Sequence, residues 1–302
     1  MLKNFPQAIL ITAYKNVNQI NDIINFLGKD FNFYIHIDKK STMDISKIRD
    51  SKNIHVCNEY IVNWGSFNHL KAILLLSKIA LKNKKNKYFH LITGQDFPVK
   101  PKEYFFYDLD ISKDYLQYFK LPIKQWNDGG GIYRFEHYNF FEYFDYKKVT
   151  GKLIITFIKD LQKILRIKRK LTIKNFFNVL YGGGTYWSLT RNSLQYVLDF
   201  GDKNPEILNS LQFTFCAEEL YFQSVLLNSN LHENIVNDNL RYVDWTSGRG
   251  GYPAFLDETD YEKIIDTKIL FARKFHEISS NGLKNILYYS SFKIRLKSIA
   301  CQ

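Results

Sequence analysis

The chain opens on a continuous apolar run, Ala8-Ile9-Leu10-Ile11-Thr12-Ala13-Tyr14, which predicts a strand buried on both faces. Apolar residues then recur at Ile20, Ile23, Ile24 and Leu27, one face of a helix that Gly28 ends. Phe33 to Ile37 predicts a second strand, closing on Asp38-Lys39-Lys40-Ser41, and Ile54-His55-Val56 a third. Phe67 to Leu81 predicts a long helix, and a lysine-rich turn follows it. Tyr88 to Ile92 predicts a fourth strand, leading into Thr93-Gly94-Gln95-Asp96-Phe97-Pro98. Strands alternating with helices predict an α/β fold with a central, mostly parallel sheet and helices on both faces. Such sheets take ligands at the carboxyl ends of their strands.

From Leu116 to Asn178 the pattern is less regular and rich in Tyr, Phe and Lys. Asn127-Asp128-Gly129-Gly130-Gly131 reads as a loop and Leu153 to Leu171 as a basic amphipathic helix. Tyr181-Gly182-Gly183-Gly184 reads as a turn, Thr185 to Leu189 as a strand, and Arg191 to Phe200 and Glu218 to Leu227 as helices. After Asp244-Trp245 the chain is irregular and Gly-rich up to Pro253. No internal repeat or low-complexity linker divides the sequence. The expectation is one catalytic domain over 1–276 and a basic, partly amphipathic tail over 277–302.

Composition narrows the classes. Hydrophobic residues make up 45% of the 302, enough for a substantial core and against wholesale disorder. The net charge of +12 admits three anionic partners: nucleic acid, a membrane surface, or a phosphorylated substrate. No nucleic-acid-binding motif supports the first. Cys57, Cys216 and Cys301 form neither a metal knuckle nor a dense disulfide framework, so a reducing cytoplasm is expected. Met1 to Pro6 carries no signal-peptide core, and no run reaches the roughly 18 apolar residues of a membrane span. The expectation is a soluble or peripheral protein. Lys284, Lys293, Arg295 and Lys297 in the tail suit an anionic membrane or an ordinary surface helix.

Several residues carry candidate chemistry. Asp38 and Asp96 follow predicted strands, where each could contact a nucleotide or close a strand-end turn. His36-Ile37-Asp38 offers no third ligand, so no metal site is expected. Gly182-Gly183-Gly184 lacks the spaced lysine and hydroxyl of a phosphate loop. Glu218 and Glu219 head a helix, either as dipole-complementing surface groups or with one of them as a general base. Arg273 and Lys274 could be a solvated pair or could bind a diphosphate.

Motifs in order along the chain resemble the core 2/I-branching β-1,6-N-acetylglucosaminyltransferase family (glycosyltransferase family 14), which includes the peptide O-xylosyltransferases. They are Leu10-Ile11-Thr12-Ala13-Tyr14, Ile35-His36-Ile37-Asp38-Lys39-Lys40, Val62-Asn63-Trp64-Gly65-Ser66, and Tyr88 through Lys100. Later come Gly184 through Arg191, Glu218-Glu219-Leu220-Tyr221-Phe222-Gln223, Leu240 through Trp245, and Leu270-Phe271-Ala272-Arg273-Lys274-Phe275. The resemblance implies a GT-A-type, Rossmann-like fold. It also implies an inverting reaction, a UDP-sugar donor with UDP-GlcNAc first, a glycan or lipid-linked glycan acceptor, and no metal or other cofactor. Asp108-Leu109-Asp110 matches an Asp-x-Asp pattern but follows a helical run and reads as a surface turn.

By the same resemblance, Glu219 aligns with the catalytic base. Lys274 aligns with a diphosphate lysine, Asp38 with a nucleotide aspartate, and Trp245 with an acceptor aromatic. Asp96 is expected near the donor, Arg249 as a second diphosphate cation, and Arg134 and Glu218 at the acceptor. Ala217-Glu218 stands where the family places Pro-Asp before the catalytic glutamate, so the acidic pair is kept and the proline is missing. The secretory cysteines and anchor of animal members do not match, which points to a bacterial, cytoplasm-facing enzyme, peripheral at the membrane through its tail.

Overall fold

A computed structural model describes residues 6–300 apart from 171, 246, 247 and 266, and also leaves the side chains of 127, 128, 172 and 292–300 undescribed. Twelve strands are formed among the described residues: β1 (Gln7–Ala13), β2 (Phe31–Ile37), β3 (Ile54–Cys57), β4 (Tyr88–Thr93), β5 (Asp96–Pro98), β6 (Asp114–Leu116), β7 (Phe119–Lys120), β8 (Tyr181–Gly182), β9 (Trp187–Thr190), β10 (Ile235–Val236), β11 (Arg241–Val243) and β12 (Phe271–Arg273). The helices are α1 (Val17–Leu27), α2 (Phe67–Lys82), α3 (Lys102–Tyr107), α4 (Asn127–Gly130), α5 (Tyr133–Glu136), α6 (Val149–Ile164), α7 (Arg191–Lys203), α8 (Pro205–Leu211), α9 (Glu218–Leu227), α10 (Tyr261–Ile265) and α11 (Asn281–Ala300).

The central sheet has seven strands in the order β10-β6-β9-β4-β1-β2-β3. β1 pairs in parallel with both β2 and β4, so Ile9 sits between Phe33 and His90. Every residue of β1 is buried. Each Ile or Leu buried this way contributes about 1.5–3 kcal/mol. The chain leaves β1 toward β2 on one side and returns to β4 on the other, which makes the carboxyl end of β1 a topological switch point. β9 runs antiparallel to β4 and β6. The expected α/β architecture with a mostly parallel sheet is therefore the one observed.

A second sheet, β11-β12-β5, stacks chemistry over this edge. β12 pairs antiparallel with β5, Phe271 opposite Pro98 and Arg273 opposite Asp96. Three-residue strands with partners this distant in sequence leave no periodic signal.

Local chemistry sets several boundaries. The Asn16 side chain accepts from Gln19 N at 3.0 Å and caps α1, and Gly28, at φ +78°, ends it. The glycine-rich segment expected as a loop forms the single helical turn α4 before Gly131. α6 begins four residues before the expected Leu153 and ends at Ile164, short of Leu171. Arg166, at φ +53°, turns the chain away. Its apolar stripe is inverted: Gly151, Ile155 and Gln162 face the body, whereas Val149, Leu153, Phe157 and Ile164 are exposed.

The expected tail begins as a docked helix. Leu283 and Leu287 of α11 lie in the core with Phe97 and Phe275. Lys284 is a correction to the membrane reading, because it is buried and pairs with Asp22 at 2.7 Å. The side chains of Lys293, Arg295 and Lys297, like Cys301 and Met1 to Phe5, lie outside the described residues. Among the described residues, no helix is long and apolar enough to cross a membrane.

Candidate active site

α9 starts with two adjacent carboxylates that point about 100° apart around the helix. Glu219 Oε2 accepts from Arg134 Nη1 at 2.7 Å, and Thr185 Oγ1 approaches Oε1 at 3.5 Å. Arg134 is held by aromatic faces, 3.5 Å from the Trp126 ring centroid and 5.2 Å from that of Phe215. Burial raises the Glu219 pKa above the ordinary carboxyl value. Arg134 opposes the rise and the Glu218 charge adds to it. A carboxylate tuned upward and still partly exposed can accept a proton from a hydroxyl placed against it.

Glu218 turns inward. It is 4% exposed, and its Oε1 lies 2.9 Å from His69 Nδ1. His69 Nε2 reaches Thr12 Oγ1 at 3.2 Å. This relay ties α9 to α2 and to the switch-point end of β1. The expectation that Glu218 meets an acceptor is corrected by this burial. Arg134, also expected there, is bound to the Glu219 carboxylate.

The approach to Glu219 is shaped by glycine. Gly183 N donates to Glu219 O at 2.9 Å, and a Cβ at Gly183 would stand 1.9 Å from Gln117 O. The glycine run is thus a close-packed turn that delivers Thr185. On the other side, Gly65 O accepts from Cys216 N at 3.0 Å. Gly65, at φ +77°, leaves no room for a Cβ against the Phe215 ring. Trp64 beside it is exposed and packs edge-on against Phe215 at 5.1 Å.

A cationic cluster occupies the switch point. Lys274 follows β12, and its Nζ lies over the Phe255 ring at 5.3 Å. Among the described residues no carboxylate pairs with it. Its pKa is lowered, first by burial and then by the charges of Lys15, Arg273 and Lys147. Fixed positive charge of this kind, unneutralised by the protein, suits a phosphate or diphosphate. Lys15, Gly94, Gln95 and Phe275 line a small cavity here, which Glu277 also borders. Arg273 stacks over Tyr186 at 4.9 Å, and Tyr186 follows Thr185, so the cluster and Glu219 are joined through one short segment.

The other expected donor residues are placed differently. Asp96 is fully buried, with Oδ1 3.6 Å from Arg273 Nε and Oδ2 accepting from Thr93 N. It supports Arg273 and the 93–96 turn from beneath, which corrects the expectation of direct donor contact. Asp38 Oδ1 accepts from Lys40 N and Val62 N at 3.1 and 3.0 Å and fastens two loops at the sheet edge. Lys40 continues that edge by pairing with Asp145 at 2.9 Å. Arg249 is held by Asp244, Asp257 and Asp260 at 3.2, 2.8 and 2.7 Å. Its charge is neutralised in that cage, which corrects its assignment as the second diphosphate cation. Trp245 is 56% exposed and meets the Tyr252 ring in a T-shaped contact at 5.1 Å, so much of its indole is accessible for the kind of stacking that aromatic rings make on a sugar.

Sequence reasoning assigned no role to His69, Lys15, Lys147 or Thr185. Lys15 follows the first strand directly, and that position was the available signal. His69 and Thr185 become visible only once α2 and the glycine turn meet α9. His36 accepts from Tyr60 N at 3.1 Å, and burial lowers its pKa to about 4. Asp108 caps α3 and Asp110 closes the next turn on Ser112. Among the described residues, no three His, Cys, Asp or Glu side chains gather into a metal-binding group.

The Core-2/I-Branching enzyme family profile matches residues 8–265. A xylosyltransferase of Ciona intestinalis is 20% identical over 94% of this chain and 34% of its own length. Two beta-glucuronosyltransferases of Arabidopsis thaliana, GlcAT14B and GlcAT14A, are 29% and 30% identical over 32% of this chain and 23% and 22% of theirs. The chain thus spans about a third of the length of the first relative and matches less of the other two. The family match runs from the first strand to α10, across the central sheet and the head of α9 and ending short of β12, and the chain belongs to the Core-2/I-Branching enzyme family of glycosyltransferases.

Proposed function

We propose that the protein is an inverting glycosyltransferase that moves a sugar, GlcNAc first among candidates, from a UDP-sugar to a hydroxyl of a glycan acceptor without a metal ion. The observation that carries this reading is the placement of the Arg134-held Glu219 carboxylate and of Lys274, which no described carboxylate neutralises, on either side of the Thr185-Tyr186 segment. Glu219 takes the proton of the attacking hydroxyl. The new C1–O bond forms on the face opposite the departing diphosphate, and the old C1–O bond breaks with its electron pair leaving on UDP. Lys274, with Lys15, Lys147 and Arg273 around it, stabilises that growing charge. Trp245 offers a stacking face to the acceptor.

A second reading keeps this chemistry and changes the sugar. The relatives are named as a xylosyltransferase and glucuronosyltransferases, so xylose and glucuronic acid are the alternatives to GlcNAc. Calorimetric titration of UDP in EDTA, followed by hydrolysis and transfer assays with UDP-GlcNAc, UDP-xylose and UDP-glucuronic acid, separates these cases. UDP binding in EDTA with turnover of one donor supports the proposal and names the sugar. Binding that requires Mn²⁺ would overturn the metal-free mechanism. No binding under either condition would favour a catalytically silent module.

A further inference from the structure

α6 is an amphipathic helix whose apolar side faces away from the protein. Val149, Leu153, Phe157, Leu161 and Ile164 recur at helical spacing, and all are at least 40% exposed. The residues that face the body, Gly151, Ile155 and Gln162, lie on the opposite side of the same helix. Beyond the helix the patch continues through Leu165 and Ile167, both also exposed. An apolar stripe on a helix about 24 Å long, interrupted by Asp160, is far from the scattered apolar residues of an ordinary surface and is the kind of patch that marks an interaction site.

The charge around the stripe identifies the occupant. Lys152, Lys159 and Lys163 run along one edge of it, Lys148 and Lys170 lie just beyond its two ends, and Asp160, the only acidic residue from 147 to 170, falls on the stripe itself. Lys152 and Lys163 lie beside Tyr146 and Tyr133 rings, at 5.9 and 6.0 Å from the centroids. An apolar stripe with lysines along one edge is the pattern of a helix lying in a membrane interface, with its side chains among the acyl chains and its cations on anionic headgroups. A second copy of this chain would instead set these lysines against one another.

We propose that α6 is an in-plane membrane-docking helix that seats the enzyme on an anionic lipid bilayer. The placement has a consequence for the site. α6 starts four residues after Asp145, which pairs with Lys40, and two after Lys147, which is one of the charges around Lys274. A bilayer on this face lies beside the donor edge of the sheet, where a lipid-linked acceptor is carried. The docking claim does not depend on which sugar is transferred.

The test is co-sedimentation with phosphatidylcholine vesicles, with and without phosphatidylglycerol, using the full chain. Wild type is expected to bind the anionic vesicles, more weakly as salt rises. The Leu153→Glu, Phe157→Glu double variant should bind at least about tenfold more weakly, with an unchanged melting temperature because both side chains are exposed. Lys293→Glu, Arg295→Glu should retain binding. The proposal is overturned if wild type does not bind anionic vesicles or if the α6 variant binds as wild type does. A wild-type dimer that the α6 variant makes monomeric would also overturn it, by showing that a second copy covers this face.

Discussion

Arg134 Nη1 and Glu219 Oε2 stand 2.7 Å apart, with the guanidinium clamped between Trp126 and Phe215. The pair orients the base and holds part of its charge. Glu219→Gln keeps the shape and the Arg134 contact but cannot take a proton. Turnover should fall by roughly 10²–10⁴-fold while UDP affinity is retained. Near-wild-type turnover in a donor-saturated assay would remove Glu219 from its role.

The pH profile follows from the same contact. With Glu219 as the proposed base the active form is the carboxylate, so activity is expected to fall as pH falls through the Glu219 pKa. Burial places that pKa above the usual carboxyl range, and Arg134 holds it down against a larger rise. Arg134→Met should therefore move the acid limb of kcat/KM to higher pH. A limb that stays in place or moves down would contradict the pairing.

The two arginine and lysine assignments can be separated by binding and melting together. Lys274→Ala should weaken UDP binding about 10–100-fold, the loss of about 1.5–3 kcal/mol from a charged hydrogen bond, and leave UMP or uridine less affected. Arg249→Ala strips the cation from three acidic residues and should lower the melting temperature. Its effect on UDP affinity should be much smaller than that of Lys274→Ala, as read by calorimetry.

Two glycines with nearly equal positive φ make an internal control. Gly28 has φ +78° and open space around a Cβ, whereas Gly65 has φ +77° and the Phe215 ring in the way. Gly28→Ala should cost about 1–3 kcal/mol from conformation alone, because φ 78° with ψ −164° is open essentially only to glycine. Gly65→Ala should cost more and should also lower turnover, because Gly65 O anchors the Cys216 turn before Glu219. Urea midpoints of equal size for the two variants would count against this packing argument.

His69→Ala removes the only hydrogen-bond partner of the buried Glu218 among the described residues. A loss of about 1–3 kcal/mol is expected, visible as a lower urea midpoint. An unchanged midpoint would mean that the Thr12–His69–Glu218 relay does not stabilise the fold.

These contacts show which parts of the protein its sequence made legible. β1 was readable as an uninterrupted apolar run and α1 as a helical stripe capped by Asn16 and ended by Gly28, whereas α2 and α9 were readable as largely apolar segments of helical length without a side-chain cap. The orientation of α6 was not, since periodicity reports that a helix has an apolar face and not which way it points. Glu218 and Glu219 share one helix start, and only the packing of His69 decides which turns inward. Arg249 looked available as a cation because its three partners are spread from Asp244 to Asp260 and meet only in the folded loop. Asp96 and Arg273 come together through an antiparallel pairing of strands far apart in the chain.

That last pairing bears on when the protein first becomes active. β12 brings Arg273 and Lys274 to a switch point whose other walls, at the ends of β1 and β4, are made early in the chain. During synthesis the N-terminal strands can collapse well before residue 274 emerges, but the proposed diphosphate site has no lysine until then. On that reading the order of the sequence acts as a timer: a nascent or truncated chain can hold most of the Rossmann-like sheet and is expected to retain its donor poorly.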